Sequence, residues 1–301
     1  MRRPRTTARG ILFLTLALLA WTETAAASPD ATDGVNKVPR LIFPVIGATT
    51  YIDDFGDARG QGGHEGNDLM AAKRSHAVAA EAGHVQFWTT SSRAGCMLYL
   101  NGVSGTQYLY IHLNNDLTAA NDNRGKCVQG VAFADGLKSG DRVEAGEPVG
   151  FVGDSGDADG IASHLHFEVH PNGRGAVSPY PYLRKARRLL FAAAPGSLFT
   201  LALTGTVVEA AGDELHLELS RVRSWPGGRK IEQSGQKIAV TVPPTASIEG
   251  AVTAMTLSTA TAELLDPGTS VTVYTAPAKT TLAAQRGARN ALSAKRVVVK
   301  R

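Results

Sequence analysis

The chain of 301 residues has only two cysteines, and aromatic side chains make up just 6% of it. So few rings argue against a stacking platform for single-stranded nucleic acid, which needs one ring per base over several bases. The cysteines, Cys96 and Cys127, lack a CxxC spacing, which argues against a thiolate metal centre. Beyond the first 27 residues no apolar run is long enough to cross a bilayer as a helix. The sequence also lacks a phosphate-cradling Gly-rich loop followed by Lys, a serine nucleophile elbow, and any cysteine outside the one pair. Phosphoryl transfer and serine or cysteine hydrolysis therefore have no visible machinery.

What is present begins with an export signature. Residues 1–27 read as a secretory signal: Arg2, Arg3, Arg5 and Arg9 precede the apolar run from Ile11 to Trp21, and Ala25-Ala26-Ala27 leads to Ser28. An uncleaved membrane anchor is the alternative. Cleavage would remove four Arg and Glu23, lowering the formal charge of +4 to +1 and leaving no strongly basic body to attract nucleic acid. The expected location is outside the cytoplasm: extracellular, in the cell wall or in the periplasm. There an even pair of cysteines suggests one disulfide, closing a loop that contains Tyr110–Leu113. Two buried free thiols are the competing possibility.

Residues 28–40 are small and polar and read as a linker. From Leu41 onward short apolar or alternating runs are separated by Gly-rich turns, which predicts an antiparallel, mainly β domain over 41–184. Residues 114–136 form a polar excursion carrying Cys127. Residues 185–197 read as a linker or short helix, with a basic cluster at Arg184–Arg188. Strands are expected again at 198–209, 214–219, 237–242, 270–275 and 295–300, with a capped helix at 258–265. That pattern suggests a small β-barrel-like domain over 198–301, ending in a tail with seven basic and no acidic residues from Lys279 onward.

Chemistry concentrates in three places. His64-Glu65-Gly66-Asn67-Asp68 offers an imidazole and a carboxylate four residues apart. In His164-Leu165-His166-Phe167-Glu168-Val169 a strand puts His164, His166 and Glu168 on one face and the apolar residues on the other. Tyr110-Ile111-His112-Leu113 adds an imidazole at the end of an apolar run. A catalytic zinc takes three N or O ligands and keeps one position for water. His64, Asp68 and one of His164 or His166 supply such a set, leaving two imidazoles for proton transfer or oxyanion stabilisation. This inventory suits amide hydrolysis.

The three motifs, in this order and behind an export signal, resemble those of the lysostaphin-type (LytM-like) zinc metallopeptidases, a family of peptidoglycan endopeptidases. The signature is HxxxD, YxHL and HxH, and the resemblance covers roughly Phe43 to Tyr182. It implies an antiparallel β scaffold with the site in a loop-walled groove. It implies one Zn2+ per chain, held by His64, Asp68 and His166, with His112 and His164 as catalytic imidazoles. It implies peptidoglycan peptide stems or bridges as substrate. The excursion at 114–136 and the cysteine pair depart from the compact family pattern and could reshape the groove.

Other candidates have plainer readings. His76, His84 and His170 match no motif and read as structural. Glu168 either orients an imidazole or is a strand-surface carboxylate. Asp154–Gly160 lacks the bidentate Glu of a calcium loop and reads as a turn. Asp53, Asp54 and Asp57 read as loop carboxylates near the groove. Two competing functions are a non-catalytic wall-binding or regulatory module and a secreted protease of Gly-rich proteins. His112 and His164 speak against the first, because members of the resembled family that only bind or activate partners tend to lose such positions.

Overall fold

The computed structural model describes residues 38–60, 62–250 and 265–300. The signal segment, most of the 28–40 linker and nearly all of the helix expected at 258–265 lie outside them. The described residues fall in one compact unit, Asn36–Arg301.

The first sheet has seven strands: β1 (Thr49–Thr50), β2 (Asn67–Ala71), β3 (Gly83–Ser91), β4 (Gly95–Gly102), β5 (Gln107–Leu113), β6 (Arg142–Val143) and β7 (His164–His170). Their order is β1-β2-β7-β5-β4-β3-β6 and every pairing is antiparallel. β7 thus lies centrally, between β2, which carries Asp68, and β5, which carries His112. The alternation read in the sequence of β7 holds: Leu165, Phe167 and Val169 are fully buried. They pack with Leu69, Leu98, Leu100, Tyr108 and Tyr110 on the same side. The other face is open and carries the polar side chains. One buried face and one open face is the usual arrangement of an antiparallel sheet.

β5 departs from simple alternation. Cys96 pairs with Leu113 and Leu98 with Tyr110, so β5 has one more residue than β4 between the two pairs. His112 takes the left-handed backbone conformation there, at φ 60°. Such a bulge turns one side chain to the opposite face. Regular alternation would send His112 inward with Tyr110 and leave Leu113 outside. Instead Leu113 is fully buried and His112 borders the cleft.

Cys96 and Cys127 form a disulfide that ties the start of β4 to the 114–136 excursion. The excursion is also held by Asp116, whose carboxylate accepts from the backbone N–H groups of Asp122 and Asn123 and pairs with Lys73 at 2.6 Å.

The second sheet comprises β8 (Leu198–Ala211), β9 (Glu214–Trp225), β10 (Arg229–Thr241), β11 (Ser247–Glu249), β12 (Ser270–Thr275) and β13 (Ala294–Val299). The path β10-β9-β8-β12-β13-β11 is antiparallel except for β11 with β13, and Ala278–Lys279 pairs with the start of β8. β10 begins eight residues before the strand expected at 237, because the Pro226-Gly227-Gly228 turn zips the polar segment 229–236 onto β9. Hydrophobicity alone does not reveal such a strand.

Residues 185–197 contain no helix; the one-turn helix α1 ends earlier, spanning Tyr180–Leu183. Nor is this stretch a solvated linker. Leu189, Leu190 and Phe191 are buried in the core of the second sheet, which also takes in Ile42, Ile46 and Val78. The basic tail is likewise built in: Arg289 pairs with Glu214 at 2.7 Å and residues 294–299 form β13.

Candidate active site

Three side chains meet on the open face of the first sheet. His64 leaves the loop after the small hairpin of Ala58–Arg59 with Gly62–Gly63, Asp68 comes from β2, and His166 comes from β7. His166 lies directly opposite Asp68 in the β2–β7 register. His64 Nε2 stands 3.1 Å from Asp68 Oδ1 and 2.9 Å from His166 Nδ1, and the latter two atoms are 3.0 Å apart. Among the described residues this is the one group of His, Cys, Asp or Glu whose donor atoms converge as metal ligands would.

The donor set fits zinc. A tetrahedral ion with bonds near 2.0–2.1 Å separates its ligand atoms by about 3.3 Å, close to the triangle found here. The outer nitrogen of each imidazole is engaged. His64 Nδ1 donates to Asp54 O at 2.9 Å, with Asp54 Oδ2 also 3.3 Å away, and His166 Nε2 donates to Glu168 Oε1 at 3.0 Å. With those protons outside, both inner nitrogens present lone pairs to the same point as a carboxylate oxygen. Such a cluster calls for a positive charge at its centre.

Burial works against a charged His166, but hydrogen bonds to Asp68 and Glu168 outweigh it and raise the group to about 9. Burial would likewise raise Asp68, yet the His166 and His64 hydrogen bonds hold it well below the carboxylate range. Glu168, also buried, is brought down to about 2 by His166 and His170, and its Oε2 receives His170 Nε2 at 2.6 Å. His170 is therefore the outer end of a carboxylate bridge to His166, a link its lack of a motif concealed.

The two remaining imidazoles flank this group. His112 Nδ1 donates to Ser155 O at 2.8 Å and His164 Nδ1 to Ala162 O at 2.9 Å, which leaves each Nε2 with a lone pair. His164 Nε2 is 3.8 Å from Asp68 Oδ1, and the rings of His112 and His164 are 5.1 Å apart. Burial, followed by the neighbouring His164, lowers His112 to about 4. All five residues line one cleft of about 480 Å³, together with Arg59, Arg93 and Ile161.

Two glycines let the backbone come close. A Cβ on Gly66 would stand 2.6 Å from Phe167 O and 2.8 Å from His166 Nε2; one on Gly156 would stand 2.0 Å from Arg93 O. Gly66 thus lets the His64–Asp68 segment lie against β7. Three residues support the site: the sequence placed Asp54 only near the groove and gave no signal for Arg59 or Ser155. Asp54 orients His64, Arg59 reaches Asp68 Oδ2 at 3.0 Å, and Ser155 bonds Cys96 N and Leu113 O through Oγ while its carbonyl holds His112. Ser155 acts across distant segments, and Asp54 and Arg59 act across a loop of about ten residues. His76 and His84 lie outside the cleft.

Residues 62–179 match the model of Peptidase family M23. Over 157 residues the chain is 31% identical to the L-Ala--D-Glu endopeptidase of Bacillus subtilis (strain 168), covering 48% of this chain and 43% of that protein, so it spans less than half the length of this relative. Among solved structures, the catalytic domain of the antimicrobial peptidase lysostaphin from Staphylococcus simulans is 23% identical, with 46% of this chain and 92% of that chain covered and a TM-score of 0.35. A zinc containing peptidase from Vibrio cholerae is 20% identical, with 46% and 39% covered and a TM-score of 0.33.

Proposed function

Starting from a Peptidase family M23 domain over residues 62–179, we propose that this protein is a secreted zinc endopeptidase that hydrolyses amide bonds in the peptide part of peptidoglycan. The observation that carries this reading is the convergence of His64 Nε2, Asp68 Oδ1 and His166 Nδ1 within about one ligand–ligand distance of a tetrahedral ion, in an accessible cleft. The substrate class is supported by the L-Ala--D-Glu endopeptidase among the relatives, and export by the signal-like residues 1–27.

In this reading His64, Asp68 and His166 hold the ion, with Asp54 and Glu168 fixing the two rings. Bound zinc supplies an acidified water and polarises the scissile carbonyl. His112 and His164, each with Nε2 facing the cleft, work at the reacting carbonyl. One accepts the proton of the attacking water, and the other steadies the charge that develops on oxygen. Ser155 and Ala162 keep both imidazoles in the tautomer these tasks need.

The test is metal analysis of the purified protein together with a cell-wall zymogram and mass identification of the released fragments. Stoichiometric zinc, wall lysis and new peptide amino termini are expected, with His112→Ala keeping zinc but losing lysis. A metal-free wild type, or wild type and His112→Ala of equal activity, overturns the reading.

A further inference from the structure

The open face of the first sheet does not end at the candidate metal site. Directly opposed residues on neighbouring strands share a face, so the register extends the site into rows. One row runs from Glu168 on β7 through Leu109 on β5 and Tyr99 on β4 to Gln86 on β3. The next runs from His170 through Gln107 and Asn101 to His84. Trp88, two residues from Gln86, joins the same face, its ring 5.9 Å from that of Tyr99. The two rings are thus continuous with the cleft: Glu168, which touches His166, begins the row that contains Tyr99 and is close enough to help raise that phenol, after burial.

The chemistry of this surface is specific. Trp88 is 46% exposed, although large aromatics are normally covered. Amide side chains border the rings: Gln86 is exposed, and Gln107 Nε2 donates to Asn101 Oδ1 at 2.9 Å. No Asp, Glu, Lys or Arg from β3, β4 or β5 points to this face. A surface whose middle strands offer ring faces and amides but no formal charge suits a ligand with apolar C–H faces and many hydroxyl or acetamido groups. Its formal charges lie at the two ends of the rows, Glu168 beside the cleft and Arg142 opposite His84.

We propose that Trp88 and Tyr99, with Gln86, Asn101 and Gln107, form a subsite for the neutral amino-sugar chain to which the cleaved peptide is attached. The proposal rests on the peptidase reading and extends it. Tyr99 lies two strands from His166 and Trp88 three, or about 10–15 Å at the usual strand spacing. An extended peptide advances about 3.3–3.6 Å per residue, so three or four residues bridge that gap. The bond cut therefore lies about three or four residues from the sugar.

The experiment uses the full, zinc-loaded chain and two readouts. Binding of an N-acetylglucosamine tetramer is measured by calorimetry for wild type, Trp88→Ala, Trp88→Phe and, as a distant control, Val103→Ala. Losing one stacked ring weakens binding about tenfold, whereas the Phe variant keeps most of it and the Val103 variant all of it. Cleavage of one stem peptide is then compared with and without its attached disaccharide. Wild type prefers the sugar-linked form, and the ratio of kcat/KM for the two falls about tenfold in Trp88→Ala. A wild type that does not bind the tetramer, or a cleavage ratio that Trp88→Ala leaves unchanged, overturns the subsite. If wild type binds the tetramer but cuts neither peptide, the peptidase reading fails and the sugar site stands. Unchanged circular dichroism of Trp88→Ala guards against misfolding.

Discussion

The backbone carbonyl of Ser155 lies 2.8 Å from His112 Nδ1, and this contact joins the loop before β7 to the bulged end of β5. The bulge turns the imidazole outward and the carbonyl fixes its proton on Nδ1, so two remote segments together present one Nε2 lone pair to the cleft. Replacing His112 with Ala is expected to lower kcat by about 10²–10⁴-fold while zinc content stays stoichiometric. Metal analysis beside a fragment-release assay checks both halves, and loss of zinc would instead make His112 a ligand.

Glu168 bridges His166 Nε2 and His170 Nε2. Glu168→Gln keeps the shape but removes the charge that orients the His166 imidazole, a ligand in the proposed reading. Zinc affinity, measured by competition with a chelator, is expected to fall about 10–100-fold.

The pH dependence of zinc affinity has a definite sign. A ligand His of ordinary pKa stops competing with protons above about 6.5. His166 of the metal-free protein is held near 9, so a proton must leave it when the ion enters at neutral pH. Affinity should keep rising about tenfold per unit from pH 6.5 to near 9, then level off. In the metal-free protein the same raised group stabilises the fold below pH 6.5, and that contribution disappears as the pH rises through 9. Titration of zinc binding across this window decides the point; a plateau at pH 7 contradicts it.

Gly66→Ala puts a methyl 2.6 Å from Phe167 O and 2.8 Å from His166 Nε2. The segment between His64 and Asp68 must then move away from β7. A stability loss of about 1–3 kcal/mol with weaker zinc binding is expected, read by thermal melts with and without the ion.

The disulfide closes a loop of 31-residue sequence separation. In the chain-entropy picture, opening it through paired Cys96→Ser and Cys127→Ser changes costs about 3–4 kcal/mol. For a folded unit of this size that corresponds to a Tm decrease of about 10 °C. Cys96 N also donates to Ser155 Oγ at 2.9 Å, so activity should fall along with stability.

Local sequence determined the chemistry. His64 and Asp68, His112, and the pair His164 and His166 stand in three short motifs, and the alternation of β7 fixes which side chains share a face, because strand geometry repeats every two residues. What local pattern cannot contain is a contact between distant segments. The sequence left His164 and His166 as equivalent ligand candidates until the family resemblance separated them; register against β2 puts His166 opposite Asp68. It read Glu168 as either an orienting group or a surface carboxylate, and placement beside His166 and His170 distinguishes them. The outward turn of His112 comes from one unmatched residue between β4 and β5, which depends on both strands at once. The early start of β10 and the burial of Leu189–Phe191 have the same cause: each segment takes its form from a partner far along the chain, and only the folded structure brings that partner near.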